Sequence, residues 1–152
     1  MAVPSNDFFE KSRFSYKMAA GPASFSRTTY MVMSGRVATF DALSLAAALF
    51  RGETWDAQCR RIVDALPQEV YVSFDIDGLS YENCPHTGTP VAGGLGFNQA
   101  VWLLDTLVRS GRRIVGFDVV EVTPAREERI DAITGARVLW KLCNLTLKSN
   151  VR

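Results

Sequence analysis

The sequence predicts an α/β protein, a parallel sheet within a three-layer αβα arrangement, and three observations predict it. Two short and almost wholly apolar runs, 70–76 and 114–122, read as buried strands. A stretch of helical period, 97–110, lies between them, and a strand–helix–strand unit closes as a right-handed parallel crossover. Helical segments also precede the first run and follow the second, which supplies cover for both faces of the sheet.

The elements follow in order. Residues 1–34 keep neither the strand nor the helix period and read as irregular; their Phe and Tyr residues are scattered among Ser, Pro and Gly. Segment 41–50 is rich in Ala and Leu and reads as a helix that Gly52 ends. A second helix covers 54–66, with Trp55, Cys59, Ile62, Val63 and Leu66 on one face, and Pro67 stops it. The 70–76 run is β-branched and aromatic. Residues 78–96, with five glycines and two prolines, form a long loop. Helix 97–110 carries Phe97, Ala100, Val101, Leu104, Leu107 and Val108 at amphipathic spacing, and Gly111 stands where a terminating glycine belongs. Segment 131–148 is a closing helix. Trp55, Trp102 and Trp140 fall on helices and read as packing residues; Cys59 and Cys143 read as core.

Length and charge narrow the function classes. A chain of 152 residues suggests one domain with a core that needs no staples. A net charge of +1 gives no electrostatic footprint for nucleic acid or an anionic membrane. The three cysteines lack a C-x-x-C spacing, which fits reduced thiols and a cytoplasmic location. The Ser-rich start carries Lys11, Arg13, Lys17 and Arg27, but Asp7 and Glu10 count against a transit peptide.

The stretch "SFDIDG" places Asp75 and Asp77 together at the carboxyl end of the first apolar strand, where ligands of parallel sheets gather. Strand alternation would point both side chains the same way. Two such charges about 5–6 Å apart repel by roughly 3 kcal/mol at an effective dielectric near 20. A shared proton, an arginine or a hard cation such as manganese or magnesium would offset that. The plain alternative is a pair of exposed loop acids, because D-x-D is a common pattern. A further alternative is the first motif of haloacid-dehalogenase-like phosphatases, although Leu79 stands where that motif has threonine. Gly93, Gly94 and Gly96 read as turn residues rather than a phosphate cradle, and Asp118 as a structural acid with a local partner.

Three stretches, "SFDIDGL", "HTGTPVAGGL" and "GFDVVEVTP", resemble in this order the ureohydrolase family of arginase, agmatinase and formimidoylglutamase. The likeness runs from about residue 35 to residue 149 and matches only the C-terminal half of the family domain. It implies an arginase-like, truncated fold over 35–152 and hydrolysis of a guanidino or amidino C–N bond that releases urea. Asp75 and Asp77 would be ligands to a pair of manganese ions. Glu121 would bind the guanidinium group, with Thr89 lining the same site; a carboxylate can accept two parallel hydrogen bonds from that planar cation. The partner implied is a small guanidino substrate, and the folded chain is expected to be a homo-oligomer.

The family's remaining metal ligands and its proton-shuttling histidine have no counterpart here. The lone histidine, His86, reads as a solvated loop side chain rather than a metal ligand. Two aspartates leave each metal short of about six donors, so turnover by the isolated chain is not expected. Agmatinase chemistry is an alternative to arginase chemistry. The missing family segments are expected to reflect a truncated or frame-shifted reading frame or a gene fragment, and a non-catalytic remnant or assembly subunit is an alternative of another class.

Overall fold

The computed structural model describes residues 13–16, 28–33, 36–123 and 129–151. They form five strands and four helices: β1 (Arg13–Tyr16), β2 (Thr28–Met33), β3 (Arg36–Asp41), α1 (Ala42–Phe50), α2 (Trp55–Asp64), β4 (Glu69–Asp75), α3 (Phe97–Arg109), β5 (Arg113–Val120) and α4 (Ile130–Asn150). Single 3-10 turns, Ile76–Gly78 and Tyr81–Asn83, follow β4. The sheet order is β3-β2-β1-β4-β5. β4 is parallel to both its neighbours, β1 and β5, whereas β2 pairs antiparallel with β1 and with β3.

Each helix starts and stops for a local reason. Asp41 caps α1 by accepting the Ser44 N–H at 2.9 Å, and this hydrogen bonding holds its carboxyl below the ordinary value. Thr54 caps α2 through the Ala57 N–H at 3.2 Å. Gln99 folds back on the Gly96 N–H at the start of α3, and Gly111, with φ of 90°, follows its end. The fully buried Gln58 ties α2 to α1 by donating to the Leu45 carbonyl at 3.1 Å.

Residues alternate along β4 from Glu69 to Phe74. Val70, Val72 and Phe74 are buried in one core with Cys59, Ile62 and Val63 of α2, Leu104 and Leu107 of α3, and Val138 and Leu142 of α4. Tyr71 and Ser73 face the other way and meet β5 through Asp118, which accepts Tyr71 Oη at 2.9 Å and Ser73 Oγ at 2.7 Å. Asp118 is thus the structural acid expected of it. β5 is an edge strand of the described sheet.

Several expectations are corrected. The stretch 1–34, read as irregular, contains β1 and β2, which widen the sheet beyond the two strands expected. Their short runs lie among Ser, Pro and Gly, and β1 pairs with a strand more than fifty residues away, so no local period marks it. Cys143 is exposed, because α4 turns Leu142 and Leu145 inward and Cys143 outward. Trp140 is likewise 68% exposed, and Trp102 lies over the surface with Arg109 stacked at 5.5 Å. Trp55 does pack against the core and donates to the Gln99 carbonyl at 3.0 Å.

Candidate functional site

Asp75 and Asp77 converge at the carboxyl end of β4, both almost fully buried. The route differs from strand alternation. β4 ends at Asp75, and the next three residues make a 3-10 turn in which Asp75 Oδ1 accepts the Asp77 N–H at 3.2 Å. The turn, rather than the pleat, brings the second carboxylate back beside the first.

Burial pushes the Asp75 carboxyl up to about 7, helped by a hydrogen bond with the Asp77 carboxyl, the Asp77 charge and the charge of Glu121. Glu121 lies just past the end of β5, so two adjacent parallel strands deliver three acids to one place. Thr89 Oγ1 donates to Asp77 Oδ2, which joins the 78–96 loop to the pair. Asp77 Oδ1 is buried with no hydrogen-bond partner among the described residues. An acceptor left in that state costs about 1–3 kcal/mol, so its persistence asks for a ligand.

Glu121 is strained as well. Its φ of 61° is the one positive value among the described non-glycine residues. Left-handed backbone costs an L-residue roughly 1–2 kcal/mol, and such strain gathers where a side chain must point in one direction. Here it aims Glu121 Oε2 to 3.8 Å from where a Cβ on Gly88 would lie. Glu121→Gly is therefore expected to be more stable than Glu121→Ala by roughly 0.5–1 kcal/mol, after the added chain entropy of glycine is set against the relieved strain. Glu121→Ala removes the same charge beside Asp75 but keeps the strain, so it should be less stable than Glu121→Gly by that amount in the same urea titration.

Two residues of this neighbourhood escaped the sequence reading. Gly88 flanks Glu121, and Asp131, read only as a helix start, is a buried carboxylate that accepts the His86 N–H at 3.1 Å and lies 3.3 Å from His86 Nδ1. A carboxylate in the first turn of a helix is usually exposed, so the signal for Asp131 was spatial rather than sequential. His86 is consequently half-buried against Asp131 rather than a solvated loop side chain. Cys84, beside the site, is fully buried; burial pushes its thiol up to about 12, and it donates to the Ile76 carbonyl at 2.9 Å. It is a structural link between the loop and the 3-10 turn.

Comparison with known proteins identifies the family and the fold. The arginase family model matches residues 36–144. An agmatinase of Pyrococcus horikoshii is 36% identical over 87 residues, which cover 57% of this chain and 30% of that protein. Among solved structures, a hypothetical agmatinase from Burkholderia thailandensis matches with 38% identity and a TM-score of 0.54, over 68% of this chain and 33% of that one. A proclavaminate amidino hydrolase from Streptomyces clavuligerus matches with 28% identity and a TM-score of 0.61, over 72% and 35%. The chain thus spans about a third of the length of the relatives it matches. Among the described residues, no helix is long and apolar enough to cross a membrane.

Proposed function

Because this chain belongs to the arginase family, we propose that it serves manganese-dependent hydrolysis of a guanidino C–N bond with release of urea. The observation that carries the proposal is the meeting of Asp75, Asp77 and Glu121 at the ends of two parallel strands. The name of the Pyrococcus relative, an agmatinase, favours agmatine over arginine as the first substrate to test.

Hard carboxylate oxygens suit manganese in kind, and Asp77 Oδ1 is buried without a hydrogen-bond partner among the described residues. In number they fall short: among the described residues no group of three or more His, Cys, Asp or Glu side chains is arranged to hold a metal ion. Asp75 and Asp77 would hold the metal, and the rest of its donors would come from sequence that this chain does not match. When bound, manganese would supply a Lewis acid that lowers the pKa of a water molecule bound to it, so that hydroxide is available near neutral pH.

The chain's own groups do the rest. Glu121 receives the planar guanidinium as a two-point acceptor. The Gly88 backbone, with no side chain, leaves room for that plane. Thr89 fixes one Asp77 oxygen by its hydrogen bond, so the other is held in a constant direction.

The test is to purify the chain, add manganese, and measure bound metal together with urea released from agmatine and from arginine. Less than one tightly bound ion per chain and little turnover is the expected result, with both rising when the remaining two thirds of a family domain is supplied as a second polypeptide. Failure of that complementation would favour a non-catalytic subunit.

A further inference from the structure

Helix α4 faces both halves of the acidic site with its first turns. Asp131 is 1% exposed, and its carboxylate holds the His86 N–H and lies beside His86 Nδ1. Thr134 Oγ1 donates to the Asn83 carbonyl at 2.6 Å. Gly135 lies under Val122, the residue after Glu121; a Cβ there would come within 2.8 Å of Val122 Cγ2. One rigid helix therefore grips the loop that carries Gly88 and Thr89, and abuts the strand end that carries Glu121.

The placement of Asp131 is costly for a merely structural residue. A buried carboxylate loses its hydration and is tolerated only when hydrogen bonds replace it. The positive end of α4 offsets part of that cost. An exposed Ser or Asp would start the helix without burial. What the burial adds is a fixed contact with the loop three residues before Thr89.

We propose that Asp131 is a positioning residue, which with Thr134 sets the register of the 83–89 loop against Glu121, so that Gly88 and Thr89 flank a guanidinium held by that glutamate. This rests on the guanidino-hydrolase reading of the site, but its consequences can be read without substrate. His86 contributes as the part of the loop that Asp131 holds, and Cys84 reports on the loop because its thiol is sealed beneath it.

The test compares the whole chain with Asp131→Asn and with Thr134→Val, the milder substitution. Two readouts are taken: the proton–proton contact between Gly88 Hα and the Glu121 side chain by nuclear magnetic resonance, and the rate of Cys84 alkylation by iodoacetamide, with the equally buried Cys59 as internal control. Both variants are expected to lose the Gly88–Glu121 contact and to alkylate Cys84 at least tenfold faster, with Cys59 unchanged. Retention of the contact with Cys84 still protected would overturn the proposal. So would equal acceleration at Cys59, which would show that the substitutions unfold the core instead of releasing the loop. Neither readout depends on turnover, so a chain that never releases urea can still show the clamp, and the reverse.

Discussion

An Asp75→Asn chain is expected to be more stable than the wild type at pH 8 and equally stable at pH 4, both without metal. The reason is the carboxyl that burial and the Asp77 charge push up to about 7 from 3.8. Between those two values the folded chain binds a proton that the unfolded chain has released, so wild-type stability falls as pH rises through this window and levels off above it. The full span corresponds to at most about 4 kcal/mol. Asparagine matches the protonated acid in shape and can still accept the Asp77 N–H, so the two chains coincide at low pH. Urea unfolding at both pH values checks this; a stability difference that does not change with pH would mean that Asp75 is not held protonated. The same substitution removes an anionic oxygen donor and should weaken manganese binding at least tenfold. Stability gained by deleting a charge that chemistry needs is the usual mark of a site selected for function.

That pair of acids was legible in the sequence, but the reason for its convergence was not. The apolar run that ends at Asp75 marked the strand, and the parallel crossover placed its end at the site. The 3-10 turn that folds Asp77 back was hidden, because Ile76 and Gly78 read equally well as a strand end and a loop start. Helix boundaries were legible to within about two residues, since Asp41, Thr54, Pro67 and Gly111 act through bonds or sterics among near neighbours. β1 was not, because its pairing partner is β4. β2 and β3 were missed too: they pair antiparallel across Ser34-Gly35, but Thr28–Met33 and Arg36–Asp41 mix β-branched residues with Met, Ala and charged residues and keep no clean alternation. Asp131 lay beyond local reading altogether, since its partner His86 is 45 residues away.

Gly94→Ala is expected to be the most disruptive single methyl that can be added to the site loop. A Cβ on Gly94 would lie 2.4 Å from both the carbonyl carbon and oxygen of Leu79, and 2.7 Å from the Gly78 oxygen. All three are backbone atoms, so no side chain can swing aside. The backbone cannot retreat cheaply either, because Ser80 N–H donates to the Leu95 carbonyl at 2.9 Å and Leu95 N–H to the Gly78 carbonyl at 3.2 Å. The substitution must break those bonds or push apart the returning loop and the turn that carries Asp77. A cost of roughly 3–4 kcal/mol follows, above the ordinary range for overpacking. Gly93→Ala is the control: its φ of 77° strains an alanine by about 1 kcal/mol, but nothing lies within 4 Å of the added carbon. Urea unfolding of the two variants separates steric from conformational cost. Equal losses would show that the loop is free to move off Leu79, and the contact of Thr89 with Asp77 would then be no guide to the geometry of the working site.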